Sequence, residues 1–306
     1  MTTHQDLPDI EASSTEGVDP QFADIDRMSV ADLAVLMNHT DATVPGAVER
    51  ALPSIIPAIE AATERLRSGG RLIYVGAGTP GRLGVLDASE CPPTFGTSPD
   101  RVFAIIAGGP SAIVLPSEGA EDDADQGAAA IEEVEVGPSD TVIGIASSGR
   151  TPYVVAAVEA ARRRGALTVG LSCNAGTLLS AAAEFSIEIA VGPELVSGST
   201  RLKAGTAQKL VLNMFSTIAM VQLGKTYGNL MVDVHASNSK LRERAIRIVR
   251  LIAGVDRAQA VSALEFSSYR VKHAVIALRL GLDAEAADER LEAADGRLRD
   301  VLEASR

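Results

Sequence analysis

The sequence predicts an α/β protein: a parallel five-stranded sheet sandwiched by helices, with an N-terminal helical arm and a small C-terminal helical module. Three observations predict it. Short, continuous apolar runs alternate with helical stretches between residues 71 and 190, the pattern of strands buried on both faces of a parallel sheet. Two of these runs end in turns rich in Gly and Ser, Gly76-Ala77-Gly78-Thr79-Pro80-Gly81 and Ala146-Ser147-Ser148-Gly149-Arg150-Thr151-Pro152, where sheets of this kind take their ligands. From Ser239 onward the pattern is helical only.

Taken in order, residues 1 to about 20 are polar and read as an adaptable arm. Ser29 is placed to cap a helix to about Met37, and a longer helix runs from Pro45 to Arg67, stopped by Ser68-Gly69-Gly70. The strands follow as Arg71–Val75, Val102–Ala107, Thr141–Ile145, Leu167–Leu171 and Phe185–Ala190. Between them, Leu83–Ala88 belongs to a helix opened by the first glycine turn, and another helix lies between Ser117 and Val134. Pro152 stands at a helix N1 position with Thr151 as its cap, and that helix runs to about Arg164. A long apolar helix spans Ala207 to about Leu223; Asp256–Leu264, Ser268–Leu280 and Asp283–Leu302 form the terminal module. The expected division is an arm and helix over 1–55, a ligand-binding domain over 56–235 and a helical module over 236–306.

The chain has 306 residues, 46% of them hydrophobic and only 3% aromatic. Its core must therefore be built from Ala, Val, Ile and Leu. A net charge of −12 with no basic face argues against nucleic acid or an anionic membrane as partner. Cys91 and Cys173 lie in no C-x-x-C pair, and His4, His39, His235 and His273 are scattered, so neither a disulfide framework nor a metal site is expected. The polar, acidic first residues do not form a signal peptide and no apolar run is long enough to cross a bilayer, so the expectation is a cytoplasmic protein.

The first turn matches G-x-G-x-x-G at Gly76, Gly78 and Gly81. A dinucleotide site also wants an acid at the end of the second strand, and Gly108-Gly109 stands there instead, so no nicotinamide cofactor is expected. In the second turn, Ser147, Ser148 and Thr151 offer hydroxyls around a helix N-terminus, where free N–H groups and the helix dipole favour an anion. Two such turns on one sheet edge point to a phosphosugar. Glu90 closes the first stretch; a lone Glu is by default a solvated helix-end acid. Glu118, Glu121, Asp122 and Asp125 have the spacing of one helical face, which is by default solvated, although two carboxylates with separated pKa values can serve as acid and base. Arg201, Lys203 and Lys209 cluster near Ser199 and Thr206, a density pointing to binding or an oligomer seam.

At these residues the chain resembles the N-acetylmuramic acid 6-phosphate etherase family, lyases built on the sugar-isomerase (SIS) domain. The resemblance covers nearly the whole chain. It is carried by Thr15-Glu16 with Asp24-Ile25-Asp26, by Thr43-Val44-Pro45, by GAGTPGRLGVLDASECPPT at 76–94 and by EGAED at 118–122. It continues in SGRTPY at 148–153, GPELVSGSTRLKAGTAQKLVLNM at 192–214 and GNLMVDV at 228–234. The resemblance implies a SIS-type sheet with a ubiquitin-associated-like terminal bundle, working as a homodimer without metal or organic cofactor in peptidoglycan amino-sugar recycling. It implies cleavage of the lactyl ether of the phosphorylated amino sugar. Glu90 and Glu121 fall on the catalytic glutamates, with Glu90 assigned as proton donor and Glu121 as base. Gly78, Thr79, Ser89, Glu118, Ser147, Ser148, Gly149, Arg150, Thr151, Ser199 and Lys203 fall on the sugar- and phosphate-binding positions. Pro80 departs from the family, which commonly has Ser there, and removes a hydroxyl and an N–H from the first turn.

Three other readings compete. A non-catalytic phosphosugar sensor, like the related animal glucokinase regulatory protein, is disfavoured by the two glutamates and the single SIS unit. A plain sugar-phosphate isomerase does not account for EGAED or STRLKAGTAQK. A transcription regulator would need a basic recognition helix, which the acidic N-terminal region does not supply.

Overall fold

The computed structural model describes residues 14–117, 119–236 and 238–304. They divide into two compact units. The first comprises residues up to 88 together with 100–215; the second comprises 89–99 together with 216 onward.

The first unit opens with one-turn helices at Ser14–Glu16, Pro20–Phe22 and Ile25–Arg27, then α1 (Val30–Asp41) and α2 (Val44–Arg67). Ser29 caps α1 as expected, its hydroxyl accepting from Asp32 N. There follow β1 (Leu72–Gly76), α3 (Gly78–Phe95), β2 (Val102–Ile106), α4 (Ala124–Glu133), β3 (Thr141–Ile145), α5 (Pro152–Arg163), β4 (Leu167–Ser172), α6 (Leu178–Ala182), β5 (Phe185–Glu188) and α7 (Lys203–Gln222), with residues 89–95 of α3 and 216–222 of α7 belonging to the second unit. All five strands are parallel, in the order β2-β1-β3-β4-β5. The connections change direction between β1 and β3. In register, Gly76 pairs with both Ile106 and Ile145, so the turns after β1 and β3 leave the sheet side by side.

One sheet face carries Ile73, Val75 and Val142 packed against Val154, Ala157 and Val158 of α5 and Leu179 of α6. The close approach of these helices has a cause. Gly144 and Gly170 are paired across β3 and β4. A Cβ on Gly144 would fall 2.4 Å from Val158 Cγ2, and one on Gly170 would fall 2.8 Å from Leu179 O. The glycines therefore leave the room that α5 and α6 occupy on the sheet. At β1 the tie is polar: Tyr74 Oη donates to Asp87 Oδ2 at 2.7 Å, and Asn213 Nδ2 donates to Asp87 Oδ1 at 2.6 Å, linking β1, α3 and α7.

The second unit holds a small hairpin, β6 (Thr226–Tyr227) and β7 (Leu230–Met231), and the helices α8 (Ser239–Ala253), α9 (Arg257–Phe266), α10 (Val271–Leu280), α11 (Ala284–Ala293) and α12 (Leu298–Glu303). Val249, Leu264, Val275, Ile276 and Leu298 share its core. Side chains of Asn238, Asp256 and Asp283 cap α8, α9 and α11, and left-handed Gly254 and Gly281 close α8 and α10.

The structure corrects three local expectations. The single helix over 283–302 is two, because Asp295 (φ 50) and Gly296 (φ 74) turn left-handed and Gly296 N closes onto Leu291 O. The carboxylates at 121, 122 and 125 share no helix face: Gly119 is left-handed, Glu121 and Asp122 lie in the one-turn helix Ala120–Asp122, and Asp123 caps α4 from Ala124. Thr151 makes no side-chain cap on α5.

Candidate active site

The β1–α3 turn is shaped by glycine. A Cβ on Gly76 would lie 2.6 Å from Gly81 N, and one on Gly81 would lie 2.7 Å from Ile106 Cγ1, so only glycine lets α3 start this close to the strand. Gly78, with φ +57, opens α3, followed by half-buried Thr79 and buried Pro80. Pro80 sits in the first helical turn, where the backbone N–H has no partner within the helix, so the proline is accommodated while one anion donor is removed.

A cavity of about 270 Å³ lies at this turn, lined among others by Ala77, Gly78, Arg82, Ala107, Gly119 and Glu121. Arg82 shapes its wall, with Nε donating to Ile113 O at 2.9 Å and a terminal nitrogen donating to Leu115 O at 3.2 Å. Glu121 is exposed and reaches the cavity from the one-turn helix that the break at Gly119 creates. The fold thus brings the glycine turn and Glu121 together. Glu118 falls outside the described residues. Ser89 and Glu90 are exposed on the last third of α3.

The β3–α5 turn is held tightly. Ser148 Oγ accepts from Arg150 N at 3.2 Å. Gly149 has φ +67, and a Cβ there would lie 2.4 Å from Thr177 Cβ. Ser147 is buried, with Oγ accepting from Gln208 Nε2 at 2.9 Å, while its carbonyl accepts from Cys173 N and Asn174 Nδ2, both at 2.9 Å. Arg150 and Thr151 are half-buried at the start of α5.

Of the two remaining predicted residues, Ser199 is half-buried ahead of α7. Lys203, the first residue of α7, is buried, and its Nζ donates to Val191 O at 2.7 Å. Glu194, almost fully buried, accepts from Lys203 N and Ala204 N and so holds the N-terminus of α7. Sequence reasoning gave no site role to Asn174, nor to Thr15, Glu194 and Gln208, which it named only within segments that carry the family resemblance. An acid ahead of a helix start was a readable signal for Glu194; nothing local marked Asn174 or Gln208. Burial pushes the Cys173 thiol up to about 12, with the Glu194 carboxylate adding to the effect, so Cys173 is an inert core group. Among the described residues, no group of three or more His, Cys, Asp or Glu is placed to hold a metal ion, and no helix is long and apolar enough to cross a membrane.

The open parallel sheet, with its two turns leaving the carboxyl edge side by side, is that of a SIS domain. A family model for the glucokinase regulatory protein N-terminal SIS domain matches residues 54–162, one for the SIS domain matches 128–218, and one for the C-terminal lid domain of glucokinase regulatory protein matches 228–294. A phosphoheptose isomerase from Francisella tularensis, 18% identical, shares the fold with a TM-score of 0.51 over 63% of this chain and 100% of that one. An N-acetylmuramic acid 6-phosphate etherase from Streptomyces avermitilis is 55% identical over 100% of this chain and 98% of its own length. Another from Rubrobacter xylanophilus is 57% identical over 91% of this chain and 93% of its own. The chain belongs to the N-acetylmuramic acid 6-phosphate etherase family.

Proposed function

We propose that this chain cleaves the D-lactyl ether of N-acetylmuramic acid 6-phosphate in amino-sugar recycling, as a carbon–oxygen lyase yielding N-acetylglucosamine 6-phosphate and D-lactate. The observation that carries the reading is end-to-end identity of 55% to an etherase. The chemistry explains what the site must do. In the open-chain sugar the C2 proton is acidified by the C1 aldehyde. A carboxylate base, assigned to Glu121, removes it; the electron pair forms the C2–C3 double bond and the C3–O bond breaks. The departing lactyl oxygen takes a proton from a carboxylic acid, assigned to Glu90. Water then adds across the double bond, its hydroxyl to C3 and a proton to C2. Glu121 at the rim of the cavity by the β1–α3 turn supports its role as the base.

Phosphate is assigned to the turn Ser147-Ser148-Gly149-Arg150-Thr151, which leads into the N-terminus of α5, where the helix dipole favours an anion. Gly78 and Thr79 at the start of α3, with Ser89, Glu118, Ser199 and Lys203, are assigned to sugar or phosphate. The protein is taken to act as a cytoplasmic homodimer.

D-lactate release tests the reading. The wild type should release it from the phosphorylated sugar and not from N-acetylmuramic acid. Glu90→Gln and Glu121→Gln should each lose about 100-fold or more in kcat. Exchange of the C2 proton with solvent deuterium surviving in Glu90→Gln but not in Glu121→Gln would fix the division of labour, and the reverse would invert it. Tight binding of the sugar phosphate with no release by the wild type would make the protein a sensor.

A further inference from the structure

One fully buried polar side chain faces the serine turn from α7. Gln208 of α7 has no exposed surface. Its Nε2 donates to Ser147 Oγ at 2.9 Å, and its Oε1 is buried without a hydrogen-bond partner. The opposite amide orientation would leave N–H groups orphaned where a carbonyl oxygen now is, and buried orphan N–H groups are the rarer and costlier kind. The orientation with nitrogen on Ser147 is therefore preferred. A hydroxyl has two lone pairs and one proton to give. With Gln208 on one lone pair, and with no acceptor for the proton among the described residues, the Ser147 proton is left to donate to a ligand oxygen. Its peptide is fixed as well, by Cys173 N and Asn174 Nδ2 on the carbonyl.

We propose that Gln208 is a positioning residue for the phosphate: by occupying the acceptor side of Ser147 Oγ from within the core, it commits that hydroxyl to donating to a phosphate oxygen of the substrate. The inference rests on the reading that the Ser147–Thr151 turn takes the phosphate. It gives a physical reason for an orphaned oxygen in the core. An unsatisfied buried carbonyl is unfavourable for stability and is tolerated here for the direction it imposes on a binding hydroxyl.

The test uses the full-length enzyme, with inorganic phosphate as competitive inhibitor and D-lactate release as readout. Gln208→Leu should raise the phosphate Ki and the KM about tenfold, the size of one hydrogen bond to a charged group, with kcat changed less than about twofold. Gln208→Glu should be worse, because a carboxylate only accepts and would draw the Ser147 proton inward. Thermal midpoint separates function from packing: Gln208→Leu removes both the orphaned oxygen and the donor to Ser147, changes of opposite sign, and should leave the midpoint little changed while affinity falls. Ser147→Ala combined with Gln208→Leu should be no weaker in phosphate affinity than Ser147→Ala alone. Phosphate affinity unchanged in Gln208→Leu while Ser147→Ala weakens it would overturn the positioning role. So would additive losses in the double variant. If Ser147→Ala itself leaves phosphate affinity unchanged, this inference fails; the anion-turn reading fails with it only if Ser148→Ala and Thr151→Ala leave the affinity unchanged as well. Gln208→Met repeats the comparison should the leucine variant not fold.

Discussion

Asp140 shows how much one residue can hold. It is buried at the start of β3 and accepts from Arg71 N, Arg71 Nε and Gly137 N at 2.9 to 3.0 Å, and from the Arg71 terminal nitrogen at 2.7 Å. Burial pushes its pKa up, but the Arg71 hydrogen bond, the Gly137 and Arg71 N–H groups and the Arg71 charge together outweigh it, and the folded value lies below the ordinary 3.8. A carboxylate depressed in the folded state contributes stability above its unfolded pKa and loses it as pH falls through the folded one. Asp140→Asn should therefore cost about 2 to 3 kcal/mol at pH 7 by urea unfolding. The gap to wild type should shrink as pH is lowered below about 4; a gap that stays constant down to pH 2 would contradict the charged pairing. Gly149→Ala should lower the thermal midpoint, since φ +67 and a methyl 2.4 Å from Thr177 Cβ must both be accommodated, at about 2 to 4 kcal/mol together. The glycine in Ser148-Gly149-Arg150 was legible as a turn residue, but its steric partner Thr177 was not, because tertiary neighbours leave no trace in local spacing. For the same reason Glu121 was legible as an acid of interest only through resemblance, and its cavity depends on the left-handed break at Gly119 that the helical-face reading overlooked.

At the scale of elements, the strands were the most legible feature. In four of the five strands both ends differ from expectation by a residue at most, and β5 ends two residues early. Helix breaks were less so, since Asp295-Gly296 interrupts a stretch whose apolar spacing continues through it. The N-terminal segment departs most. Its residues from 14 onward were expected to belong to an adaptable arm, yet Thr15 is fully buried. Ser14 Oγ donates to Asn174 Oδ1 at 2.8 Å, Asn174 Nδ2 donates to Thr15 Oγ1 at 3.0 Å, and Gly198 N donates to Thr15 O at 3.2 Å. Because Asn174 Nδ2 also donates to Ser147 O, the strap and the serine turn share one amide. Asn174→Leu should accordingly speed hydrogen–deuterium exchange in both 14–17 and 146–150, with a stability loss of about 2 to 3 kcal/mol. Faster exchange in only one of the two segments would show that they are not coupled.

For the molecule as a whole, charge distribution decides how an anionic sugar arrives. Residues 1–215 hold 28 of the 40 acidic residues but 14 of the 28 basic ones. The sequence carrying the sheet and both turns is therefore strongly negative, although the proposed substrate carries a phosphate and a carboxylate. Affinity must come from short-range donors, the backbone N–H groups at the helix starts and the serine hydroxyls, acting against a repulsive long-range field. The two contributions respond differently to salt. Hydrogen bonds inside a closed turn are little screened, whereas the Debye length shrinks from about 30 Å at 0.01 M to about 10 Å at 0.1 M and removes most of the distant repulsion. Raising NaCl across that range should leave kcat/KM for the phosphorylated sugar level or increase it, the opposite of a site that attracts anions by a basic face. A fall of about threefold or more over the same range would mean that Arg82, Arg150 and their neighbours generate an attractive field at the cavity mouth that outweighs the acidic surface.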